Sequence, residues 1–310
     1  MRRLIARLGL CWRLGFIALM VSFIFFEGVP GLSGWLGVAV ELGLLILMLY
    51  LMNMAPRATR QDPVKARAPV HGAWLALNSP GQGLPSHGVH KHGQYSAMDI
   101  IRPHDEGDDF ADPWVMKRGV FGDHPERVRS FGEPIHAAAS GVVVEVADGQ
   151  RDQRARNTWP GLIFFFTAEA IIRTLAGWRV ILGNRVTIQQ EDGSFAVYAH
   201  IRRRSARVKR GDRVEVGQLI AEIGNTGNTT QPHLHMQLMD RARPEAAAGI
   251  PMVWLGLELG EVDPGYEKHA ADPEPTALEG MPRNGQLFTA DGDLGWRSSL
   301  LSKHQTSHTC

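Results

Sequence analysis

The sequence predicts a mainly β protein with an antiparallel sheet, preceded by an α-helical hairpin in a membrane. Short runs rich in β-branched residues, separated by Gly-containing turns, follow one another between residues 141 and 238, and this spacing is typical of antiparallel sheets. Two apolar stretches, residues 8–26 and 34–54, are each close to the ~20 residues that cross a bilayer as a helix. The short segment 27–33 between them is predicted as a turn, so residues 1–54 form the hairpin.

Each apolar stretch of the hairpin contains one charged residue. Arg13 can extend its guanidinium toward the membrane interface. Glu41 is unusual inside a span and therefore predicts that the two helices pair with each other. An uncleaved signal anchor with a single span is the alternative. A cleaved signal peptide is disfavoured, because apolar sequence continues past any plausible cleavage site.

The chain after the hairpin divides by composition into three segments. Residues 55–70 are polar, basic and contain Pro, which predicts a linker. A β domain is predicted over residues 71–245, and its strands are predicted at residues 141–147, 185–190, 194–201, 219–223 and 233–238. Residues 246–310 are predicted as a C-terminal extension. From about Gly265 its Pro, Gly and polar residues predict that it is partly disordered.

One apolar stretch interrupts the strand pattern of the β domain. Residues 159–182 favour a helix, and Arg173 is their only basic residue before Arg179. Packing in the core is the preferred interpretation. Packing on a membrane surface, or forming the wall of a groove, is the alternative.

The overall charge and the cysteine content exclude two classes of function. The chain has 33 Lys and Arg against 32 Asp and Glu, so no nucleic-acid partner is predicted. Cys11 and Cys310 are its two cysteines, which is too few for a disulfide framework or a cysteine-based zinc site.

The most informative residues of the chain are His233 and His235, which lie two positions apart on a predicted strand. Side chains at i and i+2 on a strand point to the same face. The two imidazoles are therefore predicted to lie side by side, as in a metal site with an adjacent acid–base group. The sequence has no His-Glu-x-x-His pattern, so a helix-based zinc peptidase is not supported.

Several separated motifs accompany this His-x-His pair. They are Pro134–Val143, Tyr198-Ala-His-Ile201, Gly211–Ala221 and Gly224-Asn-Thr-Gly227. In this order they resemble the LytM/lysostaphin-type zinc metallopeptidases, the M23 family of peptidoglycan endopeptidases, from about Trp74 to Asp240. The resemblance implies two packed antiparallel β-sheets with a metal-binding groove.

The resemblance also implies the ligands of a catalytic Zn²⁺, which takes three protein ligands and lowers the pKa of a bound water to about 7. Asp99 and His235 are two of the implied ligands. The common His-x-x-x-Asp pattern would need a His where this chain has Tyr95. A variant with Ser-His-Gly, then Gly-Gln, then Ala-x-Asp points to His87, with a loop that returns it to Asp99. His92 is the alternative first ligand.

Two further histidines have roles implied by the resemblance. His200 and His233 correspond to residues that flank the metal without binding it. An imidazole there can move a proton or stabilise negative charge on oxygen. Both are therefore expected to be catalytic residues.

Together these features predict a membrane-anchored zinc metalloendopeptidase that hydrolyses peptide cross-links of bacterial peptidoglycan. Its expected partners are peptidoglycan peptides, the membrane through the N-terminal helices, and a protein regulator. We expect the peptidase domain on the extracytoplasmic side of the cell membrane, but the positive-inside rule argues the other way. Basic residues lie before and after the hairpin and none lies in its loop: Arg2, Arg3 and Arg7, then Arg57, Arg60, Lys65 and Arg67.

Two alternatives belong to other functional classes. A catalytically inactive LytM-like domain would bind cell wall or regulate other wall hydrolases. A lipoyl- or biotinyl-type carrier shares the Gly-Asp-x-Val-x-x-Gly-Gln pattern but needs a modifiable Lys at a hairpin tip. This chain has no Lys between Val214 and Lys268, which excludes the carrier.

Overall fold

The computed structural model describes residues 1–25, 34–104, 107 and 109–290. The described part of the chain is mainly β and mostly antiparallel, as predicted. Its thirteen strands are β1 Val64–Arg67, β2 Gly72–Leu77, β3 Met98–Ile101, β4 Pro134–His136, β5 Gly141–Ala147, β6 Arg185–Gln190, β7 Phe195–Ala199, β8 Arg213–Val214, β9 Leu219–Glu222, β10 Leu234–Met239, β11 Met252–Leu255, β12 Leu257–Val262 and β13 Gln286–Ala290. Short 3₁₀ turns lie at Lys91–Ser96, Pro125–Arg127, Pro244–Ala246 and Glu267–His269.

Three helices begin the chain: α1 Arg2–Arg7, α2 Gly9–Phe25 and α3 Gly34–Asn53. α2 and α3 pack against each other, and Glu41 is buried although most of α3 is exposed. The helix pairing inferred from Glu41 is thus present. By length and composition α3 is a candidate membrane span, which alone is weak support for a membrane. The predicted turn at 27–33 lies outside the described residues.

Nine strands form the main sheet, in the order β12-β13-β2-β3-β10-β7-β6-β5-β8. Every strand pair within it is antiparallel. β4 and β9 form a small antiparallel sheet, and β1 and β11 form a small parallel one.

Alternation along the central strands gives the main sheet two different faces. Met98, Ile100, Leu234, Met236 and Tyr198 point into the main core, which also contains side chains of β4 and β9. The residues between them point to the opposite face. There a smaller apolar cluster contains Trp178, Leu182, Val197, Ala199, Met239 and Ala247. Asp99 and His235 belong to this second face, because each lies between two core residues of its strand.

The five predicted strands correspond to β5, β6, β7, β9 and β10, with ends that differ by at most two residues. They were predicted as β-branched runs between Gly-containing turns, and in the structure their side chains alternate between the two faces of the sheet.

The segments on either side of the predicted β domain differ from expectation. β13 pairs with β2 and β12 pairs with β13, so residues expected in a partly disordered extension widen the main sheet. Phe288 is buried there. Part of the expected linker is β1, which pairs with β11. The physical reason is that both segments have strand partners far away in sequence. The boundaries 1–54, 55–70, 71–245 and 246–310 stay predictions for domain organisation.

The apolar stretch 159–182 is helical, as predicted. The prediction that it packs in the core is wrong for most of its length. It consists of α4 Trp159–Phe164, a π-helical turn Phe165–Glu169, α5 Ala170–Ala176 and α6 Trp178–Ile181. Trp178 and Leu182 are buried. Ile163 and Phe166 are 62% and 70% exposed, so the earlier part of the stretch turns apolar side chains outward.

Candidate metal centre

Three side chains converge on the second face of the main sheet. One potential ligand atom from each of His87, Asp99 and His235 lies within 4.8 Å of the other two. Asp99 Oδ1 is 2.8 Å from His235 Nδ1, and Asp99 Oδ2 is 3.2 Å from His87 Nε2. His235 is almost completely buried, so the cluster lies at the base of a pocket.

Strand register and one loop bring these side chains together. Asp99 on β3 lies directly opposite His235 on β10, and Leu77 on β2 flanks Asp99 on the other side. His87 comes from the loop before β3. The hydroxyl of Ser86 donates to the carbonyl of Ala97, 2.6 Å away, and ties that loop to the start of β3. The returning loop expected from the long His-to-Asp spacing is present.

His92 occupies a different place from His87. It is buried with a left-handed φ of +61°, and neither ring nitrogen has a hydrogen-bond partner among the described residues. Burial lowers the pKa of His92 to about 3, and the charges of Lys91 and Arg13 add to the effect. His90 stacks on Tyr95 with ring centroids 5.0 Å apart. Of these loop histidines, the structure brings His87 to Asp99.

His200 and His233 lie beside the cluster, with ring centroids 4.7 Å apart. Nδ1 of His200 is 2.7 Å from the carbonyl of Thr226, and Nδ1 of His233 is 2.8 Å from the carbonyl of Gln231. A carbonyl can only accept, so each Nδ1 bears the proton and donates it. Each Nε2 is left as the basic nitrogen.

Burial and mutual proximity set the protonation of these groups. Burial acts to raise the pKa of Asp99, but the charges of His87 and His233 and hydrogen bonds from His235 and His87 hold it well below its usual range. Burial lowers the pKa of His200, as do His233 and His235. Burial also lowers the pKa of His233. Burial opposes protonation of His235, yet the Asp99 hydrogen bond and charge outweigh it and raise that pKa. Asp99 is therefore ionised, while His200 and His233 are neutral near pH 7.

Two polar residues that the sequence did not single out hold the cluster in place. Asn78 Nδ2 donates to Asp99 Oδ2 over 2.8 Å. Gln237 Oε1 lies 2.9 Å from His235 Nε2. The amide nitrogen of Gln237, Nε2, donates to the carbonyl of His92 over 2.7 Å. Gln237 could have been found by extending the i, i+2 alternation from His233 and His235. Asn78 has no comparable signal, because it lies after β2.

All five predicted site residues open onto one pocket. Asn78 and Gln94 also line it, and Asn228, Thr229 and Thr230 line it from the loop before β10. Phe165 and Ile181 complete the wall from the helical stretch, so this part of the chain borders the groove.

The donor set fits a zinc ion. Two imidazoles and one carboxylate are a common ligand set of catalytic zinc sites. Two of the three ligands have further hydrogen bonds, as ligands of protein metal sites usually do: Asp99 accepts from Asn78, and His235 donates to Gln237.

Part of the chain is similar in sequence to known peptidases. Residues 167–246 match the model of Peptidase family M23. The peptidoglycan DD-endopeptidase ShyA of Vibrio cholerae is 44% identical over 72 residues, which are 23% of this chain and 16% of that protein. Lysostaphin of Staphylococcus simulans is 28% identical over 142 residues, 42% of this chain and 27% of that protein. The chain thus spans less than a third of the length of these relatives.

A solved structure of the lysostaphin catalytic domain from Staphylococcus simulans is 24% identical, with a TM-score of 0.26. The matched region covers 42% of this chain and 85% of the chain in the lysostaphin structure. The family model matches the part of the chain that contains His200, His233 and His235. Residues 167–246 therefore match Peptidase family M23, and the chain is similar over part of its length to peptidases of the LytM/lysostaphin type.

Proposed function

We propose that this protein is a membrane-anchored zinc metalloendopeptidase that hydrolyses peptide cross-links of bacterial peptidoglycan. The observation that supports it most is the convergence of His87, Asp99 and His235 beside two further histidines, His200 and His233, in one pocket. Zinc and the catalytic roles of these residues belong to this proposal.

His87, Asp99 and His235 would hold the metal. A zinc ion bound there would polarise the scissile carbonyl and lower the pKa of a water molecule. Asp99 is ionised before any metal arrives, because neighbouring histidines hold the pKa of its carboxyl low. A ligand that is already deprotonated loses no free energy to proton release on binding.

His200 and His233 would handle protons and charge. Both are neutral near pH 7 and both have Nδ1–H committed to a backbone carbonyl, so Nε2 is the nitrogen that can accept a proton. Once protonated, the same nitrogen can donate to a developing oxyanion or to the leaving amine. His200 has a φ of +61°, a conformation that non-glycine residues adopt rarely. Such strain is often retained at functional sites.

The names of the relatives support a class of substrate. The names of the matched proteins include a peptidoglycan DD-endopeptidase and a glycyl-glycine endopeptidase, ALE-1 of Staphylococcus capitis, which is 31% identical over 104 residues. Both cleave peptide bonds according to these names, but the bonds differ. We propose a peptidoglycan peptide as the substrate class, and the choice between these bonds is an outcome of the test below.

The N-terminal helices would anchor the peptidase to the cell membrane. Arg3 pairs with Asp240, and Arg13 Nη2 lies 3.4 Å from Glu245 Oε1, so α1 and the start of α2 are tied to the turn after β10. We place the peptidase domain on the extracytoplasmic side, where peptidoglycan lies.

A catalytically inactive, regulatory domain is the second candidate. It is favoured by one match: the murein hydrolase activator EnvC of Escherichia coli is 29% identical over 105 residues, or 32% of this chain. The three potential metal ligands argue for catalysis instead, because a regulator needs no such set.

The test uses the full-length protein in detergent, loaded with zinc and incubated with purified peptidoglycan, and identifies released peptides by mass spectrometry. Wild type is expected to cleave cross-links. His235→Ala is expected to lose both zinc and cleavage. His200→Ala and His233→Ala are expected to keep zinc and lose turnover by ~10²-fold or more.

A wild type that binds zinc but cleaves no peptidoglycan would contradict the proposal. If the same preparation then stimulated separate wall hydrolases, the regulatory function would replace it.

A further inference from the structure

We propose that the helical segment Trp159–Ala176, named here the lateral helix, lies on the lipid bilayer beside the N-terminal hairpin. The inference rests on the membrane anchoring in the proposed function and adds a second contact with lipid. It assigns the lipid surface to a part of the peptidase domain itself, next to the pocket.

The polarity of the lateral helix is the reverse of that of a helix on a water-soluble surface. Its large apolar side chains point outward: Trp159, Ile163, Phe164, Phe166, Ile171 and Ile172 are all exposed. Its charged side chains point inward. Arg173 is only 6% exposed, and its Nη1 lies 3.1 Å from Glu169 Oε1. Arg156 closes the group, with its Nη2 3.2 Å from Glu169 Oε2. Exposed apolar side chains concentrated in one helix indicate a membrane or protein contact.

Several polar side chains of the helix and at its ends form hydrogen bonds with backbone groups of the same segment, which reduces the cost of contact with lipid. Thr158 caps the first turn by accepting a hydrogen bond from the Gly161 amide over 3.2 Å. Thr167 Oγ1 donates to the carbonyl of Ile163, and Thr174 Oγ1 donates to that of Ala170. At the π-helical turn, Arg173 Nη2 donates to the carbonyl of Phe165 over 2.9 Å.

A neighbouring loop extends the apolar surface. Val115, Val120 and Phe121 are exposed, Phe121 to 78%. This loop is tied to the start of the lateral helix, because Thr158 Oγ1 donates to the carbonyl of Val120 over 3.2 Å. The Lys117 amide likewise donates to the carbonyl of Asn157 over 2.7 Å. Aromatic and aliphatic side chains next to the exposed Lys117 and Arg118 are typical of segments that bind at a membrane interface.

Position in the molecule favours lipid as the occupant of this surface. Gly177, directly after the lateral helix, lies against α2: a Cβ added there would be 2.7 Å from Nη1 of Arg13. The lateral helix thus ends beside the helix that the proposed function places in the membrane. A bilayer that surrounds the hairpin would reach the exposed apolar side chains without a further binding partner.

The lateral helix lies on the membrane rather than crossing it. By length and composition it is a candidate span. Both of its ends, however, are fixed in the same folded domain, since Thr158 and Trp178 are buried there. Phe165, on its inner face, lines the pocket. Contact of the lateral helix with the bilayer would hold the pocket close to the membrane. The substrate would then be limited to peptides near the membrane surface.

The test measures lipid contact at single positions in the full-length protein. With Cys11 and Cys310 replaced by Ser, one cysteine is introduced by Ile163→Cys, Phe166→Cys, Ile46→Cys or Glu191→Cys and labelled with an environment-sensitive fluorophore. All four positions are exposed. The protein is reconstituted into vesicles of phosphatidylethanolamine and phosphatidylglycerol, with or without lipids that have a quencher on the acyl chain. Ile46 on α3 reports the anchor, and Glu191 in the β6–β7 turn is the matched control.

Labels at 163 and 166 are expected to be quenched as strongly as the label at 46, while the label at 191 keeps its full emission. Quenching at 46 without quenching at 163 or 166 would overturn the lateral contact and leave the anchor intact. If the labels at 163 and 166 report an apolar environment only at high protein density and are not quenched by the lipids, a second copy of the chain covers this surface. That result would overturn the lateral contact with lipid. Full emission at all positions would overturn both the anchor and the lateral contact. Zinc content and peptidoglycan cleavage are measured separately, so failure of the catalytic proposal is distinguished from either result.

Discussion

Gln237 fixes the orientation of the His235 ring. Its side-chain oxygen lies 2.9 Å from His235 Nε2, and its amide is held by the carbonyl of His92. The Nε2 proton of His235 therefore has a buried acceptor, which turns Nδ1 toward Asp99. An acceptor behind a metal-binding imidazole raises the basicity of the ligand and fixes its tautomer.

Replacing this acceptor should weaken metal binding. We expect Gln237→Leu to lower the affinity for zinc by about 10- to 100-fold, because His235 Nε2–H loses its partner. Gln237→Glu keeps an acceptor and should recover most of the affinity. Competition with a chromophoric chelator measures this, and circular dichroism checks folding. An unchanged affinity in folded Gln237→Leu would show that Gln237 does not position His235.

His92 should make stability depend on pH. Burial lowers its folded-state pKa to about 3, far below the ordinary value near 6.5. Between these values the unfolded chain binds the proton and the folded chain does not. The free energy of unfolding therefore falls as pH drops below about 6.5, by up to ~1.4 kcal/mol per pH unit.

His92→Asn removes this titration and, since Asn tolerates a positive φ, keeps the backbone conformation. We expect urea unfolding of wild type to lose more stability between pH 7 and pH 5 than that of the variant. Equal losses in both proteins would mean that His92 is not buried as a neutral imidazole.

At the residue scale the sequence predicted the residues that belong to recognisable motifs. Asp99, His200, His233 and His235 were found in this way, and the structure places them around one pocket together with His87. Their roles stay predictions. Asn78 and Gln237 were not predicted, because a single amide has no diagnostic spacing and only the folded sheet brings it to its partner.

Among the elements, β13 shows how far the fold extends beyond the family motifs. Phe288 is buried in the main core, with its ring centroid 6.2 Å from that of Trp254. Its strand pairs with β2, which in turn pairs with β3 beside Asp99. β13 is therefore expected to support the strand that supplies one site residue.

Truncation of this side chain should destabilise the whole domain. We expect Phe288→Ala to lower the free energy of unfolding by ~3–5 kcal/mol, the usual effect of removing a buried aromatic ring. Thr289→Ala, on the half-buried neighbour, should change it by less than ~1 kcal/mol. Chemical unfolding of both variants measures the difference. Equal small effects would place residues 286–290 outside the cooperative unit.

β-Branched strands between Gly-containing turns were predictable, whereas the edge strand β12 was not. β12 is mostly exposed and includes Glu258, Gly260 and Glu261, so it lacks an apolar face that a pattern could detect. The lateral helix presents the opposite difficulty. Its hydrophobicity predicted a helix correctly, but composition does not distinguish a core-facing apolar side from a lipid-facing one.

At the scale of the whole molecule, the charges near the hairpin have partners in the peptidase domain. Arg3 pairs with Asp240 and Arg13 with Glu245. Arg3, one of the basic residues that suggest a cytoplasmic domain, thus forms an ion pair with the folded domain. The positive-inside rule counts Lys and Arg without regard to such contacts.

Labelling of intact cells tests the orientation. In a chain with Cys11 and Cys310 replaced by Ser, we expect Glu191→Cys to react with a membrane-impermeant maleimide before the cells are lysed. A cytoplasmic protein with an introduced cysteine serves as the unlabelled control. Reaction of Glu191→Cys only after lysis would place the domain in the cytoplasm and remove peptidoglycan as its substrate.

The zinc content of the purified full-length chain shows whether His87, Asp99 and His235 form a zinc site, with wild type compared with His87→Ala and His92→Ala. Full length is needed because β13 lies beyond the family motifs and belongs to the main sheet. We expect about one zinc per chain in wild type and in His92→Ala, and none in His87→Ala. No zinc in wild type after loading with the metal, or loss of zinc from His92→Ala but not from His87→Ala, would contradict it.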